Sequence, residues 1–182
     1  VVSPGVEVIN IAARRNAQVI QVADTALSMR RLKENNDHLA SRIIEFITRQ
    51  TGENPNGAII APKFWLEEHG SRLPSCIKQA HFGALLGLNK MEQSGWLVVI
   101  GRMEPSPRNV EEVARAWFPS EMEPGTVTRE QTQLAAKSGD VATITQTTFQ
   151  DPRCREILES IREQESLQAV DRLRLIHATQ PK

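Results

Sequence analysis

The sequence predicts an open α/β sheet, mainly parallel, with helices on both faces. Strand-like and helical segments alternate along much of the chain. Residues 58–61 (Ala-Ile-Ile-Ala) form a continuous apolar run of the kind found in a buried parallel strand. Residues 96–101 (Trp-Leu-Val-Val-Ile-Gly) form a second such run, whose composition implies cover on both faces.

The elements follow in order. Residues 6–11 alternate apolar and polar side chains and predict a strand, and 18–22 predict a second, closed by Asp24 and Thr25. Asn36 and Asp37 supply a helix N-cap, behind which Leu39, Ile43, Ile44, Phe46 and Ile47 recur at helical spacing as far as Gly52. The loop at 52–57 (Gly-Glu-Asn-Pro-Asn-Gly) delivers the strand at 58–61. A short helix over 64–69 follows, then a strand over 77–82 that runs into the small-residue segment 83–89. After the 96–101 strand, Pro105-Ser106-Pro107 breaks the chain ahead of a helix over 109–118, with Val110, Val113, Ala114 and Trp117 on one side. Residues 119–151 depart from this rhythm. A Ser-Gly-Asp turn at 138–140, between two stretches rich in Thr, Ala and Val, predicts a β-hairpin within 134–149. This region holds few large apolar residues and is expected to be an insertion. Beyond Asp151-Pro152 a helical pattern resumes with Ile157, Leu158, Ile161, Leu167 and Val170 and continues through Arg174.

Composition limits the function. A chain of 182 residues fits one domain with a sizeable insertion and can bury roughly 70% of its unfolded surface. Lys and Arg total 22 and Asp and Glu total 22, so bulk charge announces no basic nucleic-acid-binding domain. The cations are mostly arginine, which suits bidentate phosphate contacts better than lysine. Cys76 and Cys154 have no partners at metal-ligand spacing, and the four histidines are scattered, which argues against a zinc site and a disulfide framework. No stretch is long and apolar enough to span a bilayer, and a cytoplasmic setting is the expectation. Both ends of the sequence look cut, as in a fragment of a longer protein, with proteolytic maturation as the alternative. Trp65, Trp96 and Trp117 lie within element patterns, which favours packing over base stacking.

Two segments can carry chemistry. Gln168, Asp171, Arg172 and Arg174 lie near the end of a helix, with Gln168 and Arg172 on one face. Such a row can present amide and guanidinium donors to one phosphate; a solvated, salt-bridged helix end is the bland alternative. The second is 81–89 (His-Phe-Gly-Ala-Leu-Leu-Gly-Leu-Asn), where two glycines past a strand permit close backbone approach to a ligand at the carboxyl edge of the sheet. An ordinary βα turn is the alternative. The chain contains no Gly-x-x-x-x-Gly-Lys-Ser/Thr loop.

Together these segments resemble the C-terminal, second RecA-like domain of superfamily-two helicases, in a divergent plasmid, phage or mobile-element form. Gly87-Leu88-Asn89, with the strand at 96–102 behind it, resembles the family's fifth motif, and 168–174 resembles its sixth. Residues 58–63 fall where the family has its fourth. The resemblance implies a P-loop NTPase fold and one RecA-like domain over 1–182, with the insertion at about 119–151. It implies that Arg172 and Arg174 act as arginine fingers oriented by Gln168, toward ATP and Mg2+ held mainly by an N-terminal RecA-like domain of the same protein. Gly87 and Asn89 would lie at the cleft between the domains. Lys63, Arg102 and Ser28 would contact the backbone of a nucleic acid, expected to be DNA. Asp171 stands where the family carries glycine, and no acidic pair of the DEAD type is present. The chain alone is therefore not expected to hydrolyse ATP. A non-catalytic binding module for nucleic acid or protein on a helicase-like scaffold is the rival reading. A small-molecule enzyme built on the 83–89 loop is disfavoured, because no nucleophile, base or metal set converges there.

Overall fold

The computed structural model describes residues 17–20, 27–34, 36–87, 89–118, 125–135 and 141–173. Two helices, α1 (Met29–Glu34) and α2 (Asn36–Glu53), lead into the central strand β1 (Gly57–Ala61). Helix α3 (Lys63–His69) and a 3₁₀ turn (Gly70–Arg72) connect β1 to β2 (Lys78–His81), and β3 (Trp96–Val99) completes a three-stranded sheet. Its order is β2-β1-β3, and both pairings are parallel, with Ile60 opposite Ala80 on one side and Val99 on the other. Helix α4 (Pro107–Trp117) follows. Strands β4 (Val127–Ala135) and β5 (Val141–Phe149) then pair antiparallel as a separate ribbon, and α5 (Pro152–Asp171) closes the described chain. The chain is thus mixed α/β, with a parallel sheet flanked by helices. Among the described residues no helix is long and apolar enough to cross a membrane.

β1 is buried at every position because side chains on both of its faces find apolar cover. Ile59 and Ala61 pack with Leu32 of α1, Ala40 and Ile47 of α2 and Trp65 of α3. Ala58 and Ile60 pack with Phe82, Leu85 and Met91 of the β2–β3 connection and with Ala169 of α5. Full burial of each isoleucine is worth about 2–3 kcal/mol. The cover is unequal in kind. Helices roof one face, whereas the other is roofed by the connection and the last turns of α5.

Several expectations change here. Residues 6–11 and the end of the 18–22 segment lie outside the described residues, and 18–20 carry no strand pairing. Of the 96–101 run, Trp96–Val99 form the strand, which among the described residues lies at the sheet edge and is half-buried, while Ile100 beyond it is buried; the apolar composition thus serves one neighbouring strand and two modest faces. Trp96 explains part of that composition. Its ring fills the space over Gly57, where a Cβ would sit 2.1 Å from Trp96 Cζ2, and its Nε1 donates to the Asn54 carbonyl at 2.7 Å. Helix α1 has too few residues to show a period in the sequence; Leu32 is its one buried residue. Phe46 and Trp117 are exposed rather than packed, Trp117 at 74%.

The starts of α4 and α5 are set by local chemistry. Ser106 Oγ accepts the Asn109 amide at 3.2 Å with Pro107 in the first turn of α4, and Asp151 caps α5 by accepting the Arg153 amide at 2.8 Å ahead of Pro152. Val110 and Ala114 of α4 then bury against Cys154 and Leu158 of α5 and Phe149 at the base of the ribbon.

The Asp151 cap carries a pH signature. The Arg153 guanidinium, hydrogen-bonded to the Asp151 carboxylate, holds its pKa down from 3.8 to about 2, against a smaller opposing effect of burial. A carboxylate whose pKa is depressed on folding stabilises the native state above its unfolded pKa, and that contribution disappears as pH falls. Urea midpoints measured between pH 4 and pH 2 should therefore fall less steeply in Asp151→Asn, which keeps a capping oxygen but cannot titrate. Parallel pH profiles for the two proteins would show that Asp151 does not contribute.

Candidate functional site

Because the strands are parallel, Ala61, His81 and Val99 end at one edge of the sheet, and the segments that follow them emerge side by side. Gly101 marks the tightest point. Its φ is +70°, and a Cβ there would lie 3.0 Å from the Leu27 carbonyl oxygen and 3.7 Å from Pro62 Cγ. The chain neighbours of these three groups are Arg102, Ser28 and Lys63. The three residues expected to meet a phosphate backbone thus flank one junction at the carboxyl edge.

They differ in how much of each is available. Ser28 Oγ accepts the Arg31 amide at 3.3 Å and acts as the cap of α1. Lys63 is exposed, 3.7 Å from Glu67. Arg102 is held by Glu104, Nε to Oε2, at 3.1 Å, so a phosphate would have to compete with that carboxylate.

Arg102 also lines an open cleft of about 160 Å³ with Gln146, Glu159, Arg162, Glu163 and Ser166. Arg162, only 5% exposed, is the group that sequence reasoning missed. Its Nη1 donates to the Thr147 carbonyl at 3.0 Å and lies 3.9 Å from Glu104 Oε1. Burial, then the nearby Arg102, push its pKa below the ordinary arginine value, while Glu104 opposes them. An arginine stays charged at neutral pH even so. The sequence did hold a signal. Cys154, Leu158, Arg162 and Ala169 are the buried residues of α5, so a charged residue sits on the apolar stripe of that helix.

The last turns of α5 meet the glycine segment. Ala169 packs with Phe82, Leu85 and Met91, and Glu165 Oε2 accepts the Gly83 amide at 3.1 Å. The two segments singled out for chemistry, 83–89 and 168–172, are therefore neighbours. Gly83 (φ +80°) and Gly87 (φ +73°) both take the left-handed conformation that favours glycine, and open space lies where a Cβ would project from either. Gly87 and Asn89 are exposed, as is Leu86 between the two glycines. Arg172 is the C-cap of α5 and is half-buried, with Nε inside. Gln168 is half-buried too, and its Oε1 is buried with no hydrogen-bond partner among the described residues. Arg174 and Leu88 lie outside the described residues.

This arrangement offers an exposed, glycine-shaped backbone turn beside a helix end that carries an amide and a guanidinium. Among the described residues no group of His, Cys, Asp and Glu side chains is placed to hold a metal ion. No protein-family model matches the chain, and neither curated proteins nor solved structures give a match.

Proposed function

We propose that this chain is the C-terminal, RecA-like motor domain of an ATP-dependent DNA helicase, with the β4–β5 ribbon as an insertion into that fold. The observation that carries the proposal is the apposition of the 83–89 turn with the Gln168–Arg172 end of α5, through Ala169 and the Glu165–Gly83 bond. An arginine finger acts from beside the cleft where nucleotide binds, and the contacts that hold the end of α5 against the 83–89 turn support that reading. In this reading ATP and Mg2+ are held by an N-terminal RecA-like domain. The chain itself contributes Arg172 and Arg174 as cations toward the γ-phosphate, Gln168 to orient them, and Gly87 and Asn89 at the domain cleft. When bound, Mg2+ would offset phosphate charge; among the described residues no metal-binding group of His, Cys, Asp and Glu is present. Lys63, Arg102 and Ser28 form the nucleic-acid side at the carboxyl edge.

The test is DNA-stimulated ATP hydrolysis by the two-domain protein with Arg172→Ala or Arg174→Ala. Turnover should collapse in each while DNA binding persists. Near-normal turnover in both variants removes the arginine-finger assignment and leaves the non-catalytic binding module in its place.

A further inference from the structure

We propose that the open cleft between α5, β5 and the segment after β3 binds a free α-amino acid, its carboxylate on Arg102 and Arg162 and its ammonium on Glu159 and Glu163.

The lining sets the class of ligand. The cleft holds about 160 Å³, and its walls are Arg102, Gln146, Glu159, Arg162, Glu163 and Ser166, none of them apolar. Sites for drug-sized molecules are larger, roughly 300–1,000 Å³, and mostly apolar. The occupant is therefore small and polar.

The hydrogen-bonding groups left over on these walls fall into two sets. Arg162 donates from Nη1 to the Thr147 carbonyl, and its Nε and Nη2 make no hydrogen bond among the described residues. Its nearest carboxylate, Glu104, is 3.9 Å away, beyond hydrogen-bond reach. Arg102 gives Nε to Glu104, while its Nη1 and Nη2 make no hydrogen bond among the described residues. Burial, then Arg102, lowers the Arg162 pKa, so two like charges feel each other across the site. These are the spare donors. On the acceptor side, Glu159 and Glu163 make no hydrogen bond or ion pair among the described residues. Gln146 spends Nε2 on Thr132, which leaves its Oε1, and Ser166 spends its hydroxyl proton on the Arg162 carbonyl, which leaves its lone pairs.

Charge decides between ligands. A simple anion such as phosphate suits the guanidiniums but is repelled by Glu159 and Glu163, and a simple cation meets the reverse conflict. A molecule with both signs meets neither. The guanidinium fork matches a carboxylate, which it holds by parallel hydrogen bonds, and an ammonium only donates, as the acceptor wall requires. On α5 the two signs stand close: Glu163 is next to Arg162, and Glu159 lies within one turn of it, about 5.4 Å along the axis. That spacing suits a carboxylate and an ammonium carried on one carbon. With no apolar surface to cover, affinity should be weak, on the order of 10⁻³ M. The inference needs neither nucleotide nor nucleic acid and stands apart from the motor reading.

The experiment is an amide NMR titration of the full chain with L-serine and two analogues. L-Serinamide lacks the carboxylate, and N-acetyl-L-serine lacks the ammonium. L-Serine should give saturable shifts at the amides of Arg102, Gln146 and Ser166, and each analogue should bind at least about tenfold more weakly. Arg162 is left intact, because its removal is expected to destabilise the fold. Arg102→Gln should lower L-serine affinity by a similar factor. Glu159→Gln with Glu163→Gln should reverse the order, so that N-acetyl-L-serine binds at least as well as L-serine. A general disturbance of the fold would weaken both ligands alike and give no reversal. The proposal is overturned by the absence of saturable shifts up to about 50 mM L-serine, well above the expected Kd. It is also overturned if either analogue binds as tightly as L-serine, or if Arg102→Gln binds it like the wild type. Displacement of L-serine by an equal concentration of inorganic phosphate overturns it too, and makes the cleft an anion site only.

Discussion

Arg172→Ala, in a protein carrying both proposed motor halves, is expected to lower DNA-stimulated ATP turnover by roughly 10³- to 10⁵-fold, the range an arginine finger supplies. DNA affinity should stay within about twofold, since the phosphate contacts proposed at Lys63 and Arg102 lie elsewhere. Arg172 also caps α5 and is half-buried, so a loss of activity could arise from a disturbed helix end. Arg172→Lys separates the two causes. Lysine keeps the charge and much of the packing stem but lacks the planar fork. Turnover lost in both variants, with normal melting, supports the finger. Turnover that follows the melting temperature across the pair would assign Arg172 a structural part only.

Arg162→Ala should be the most damaging single change to stability outside the apolar core. The side chain is 5% exposed and joins three parts of the fold: the Thr147 carbonyl of β5, Glu104 after β3, and its own helix. Truncation leaves a carbonyl without its donor and a partly buried carboxylate with one cation fewer. Removing one member of a buried ionic set typically costs about 3 kcal/mol. For a chain of this size that corresponds to a fall in Tm of roughly 6–12 °C. Circular dichroism melts give the value directly. A cost under about 1 kcal/mol would mean that water already solvates the guanidinium from the open cleft, as it does for surface pairs.

How far the fold could be foreseen depended on whether a feature was local. β1 was legible because four consecutive apolar residues between a loop and a helix have few other uses. The starts of α4 and α5 were legible because Ser106-Pro107 and Asp151-Pro152 cap and preset the first turn. β3 was legible as a strand, but not its half-burial, since an apolar run reports its neighbours only in aggregate and Trp96 spends its area on Gly57. Trp117 completes an apolar stripe of which only Val110 and Ala114 find a partner. The site divides in the same way. Gln168 and Arg172 could be noticed from their spacing, but their nearness to Gly83 rests on contacts between residues far apart in sequence. Arg162 was overlooked because Glu159 and Glu163 beside it suggest a solvated helix face. The burial of Cys154, Leu158 and Ala169 on the same side shows that the face turns inward.

The unequal cover of the parallel sheet has a mechanical consequence. On the Ile59 side, α1, α2 and α3 are braced by their own internal ladders, so that side resists deformation as a block. On the Ile60 side the roof is the 82–95 connection, which has no such ladder, and the closing turns of α5. Free energies of local opening follow such differences in bracing. The sheet therefore has a stiff flank and a yielding one, and the turn and helix end proposed to meet nucleotide sit on the yielding flank. Local opening is therefore expected first in the 82–95 connection, with β1 and the helices behind it the better protected part of the sheet.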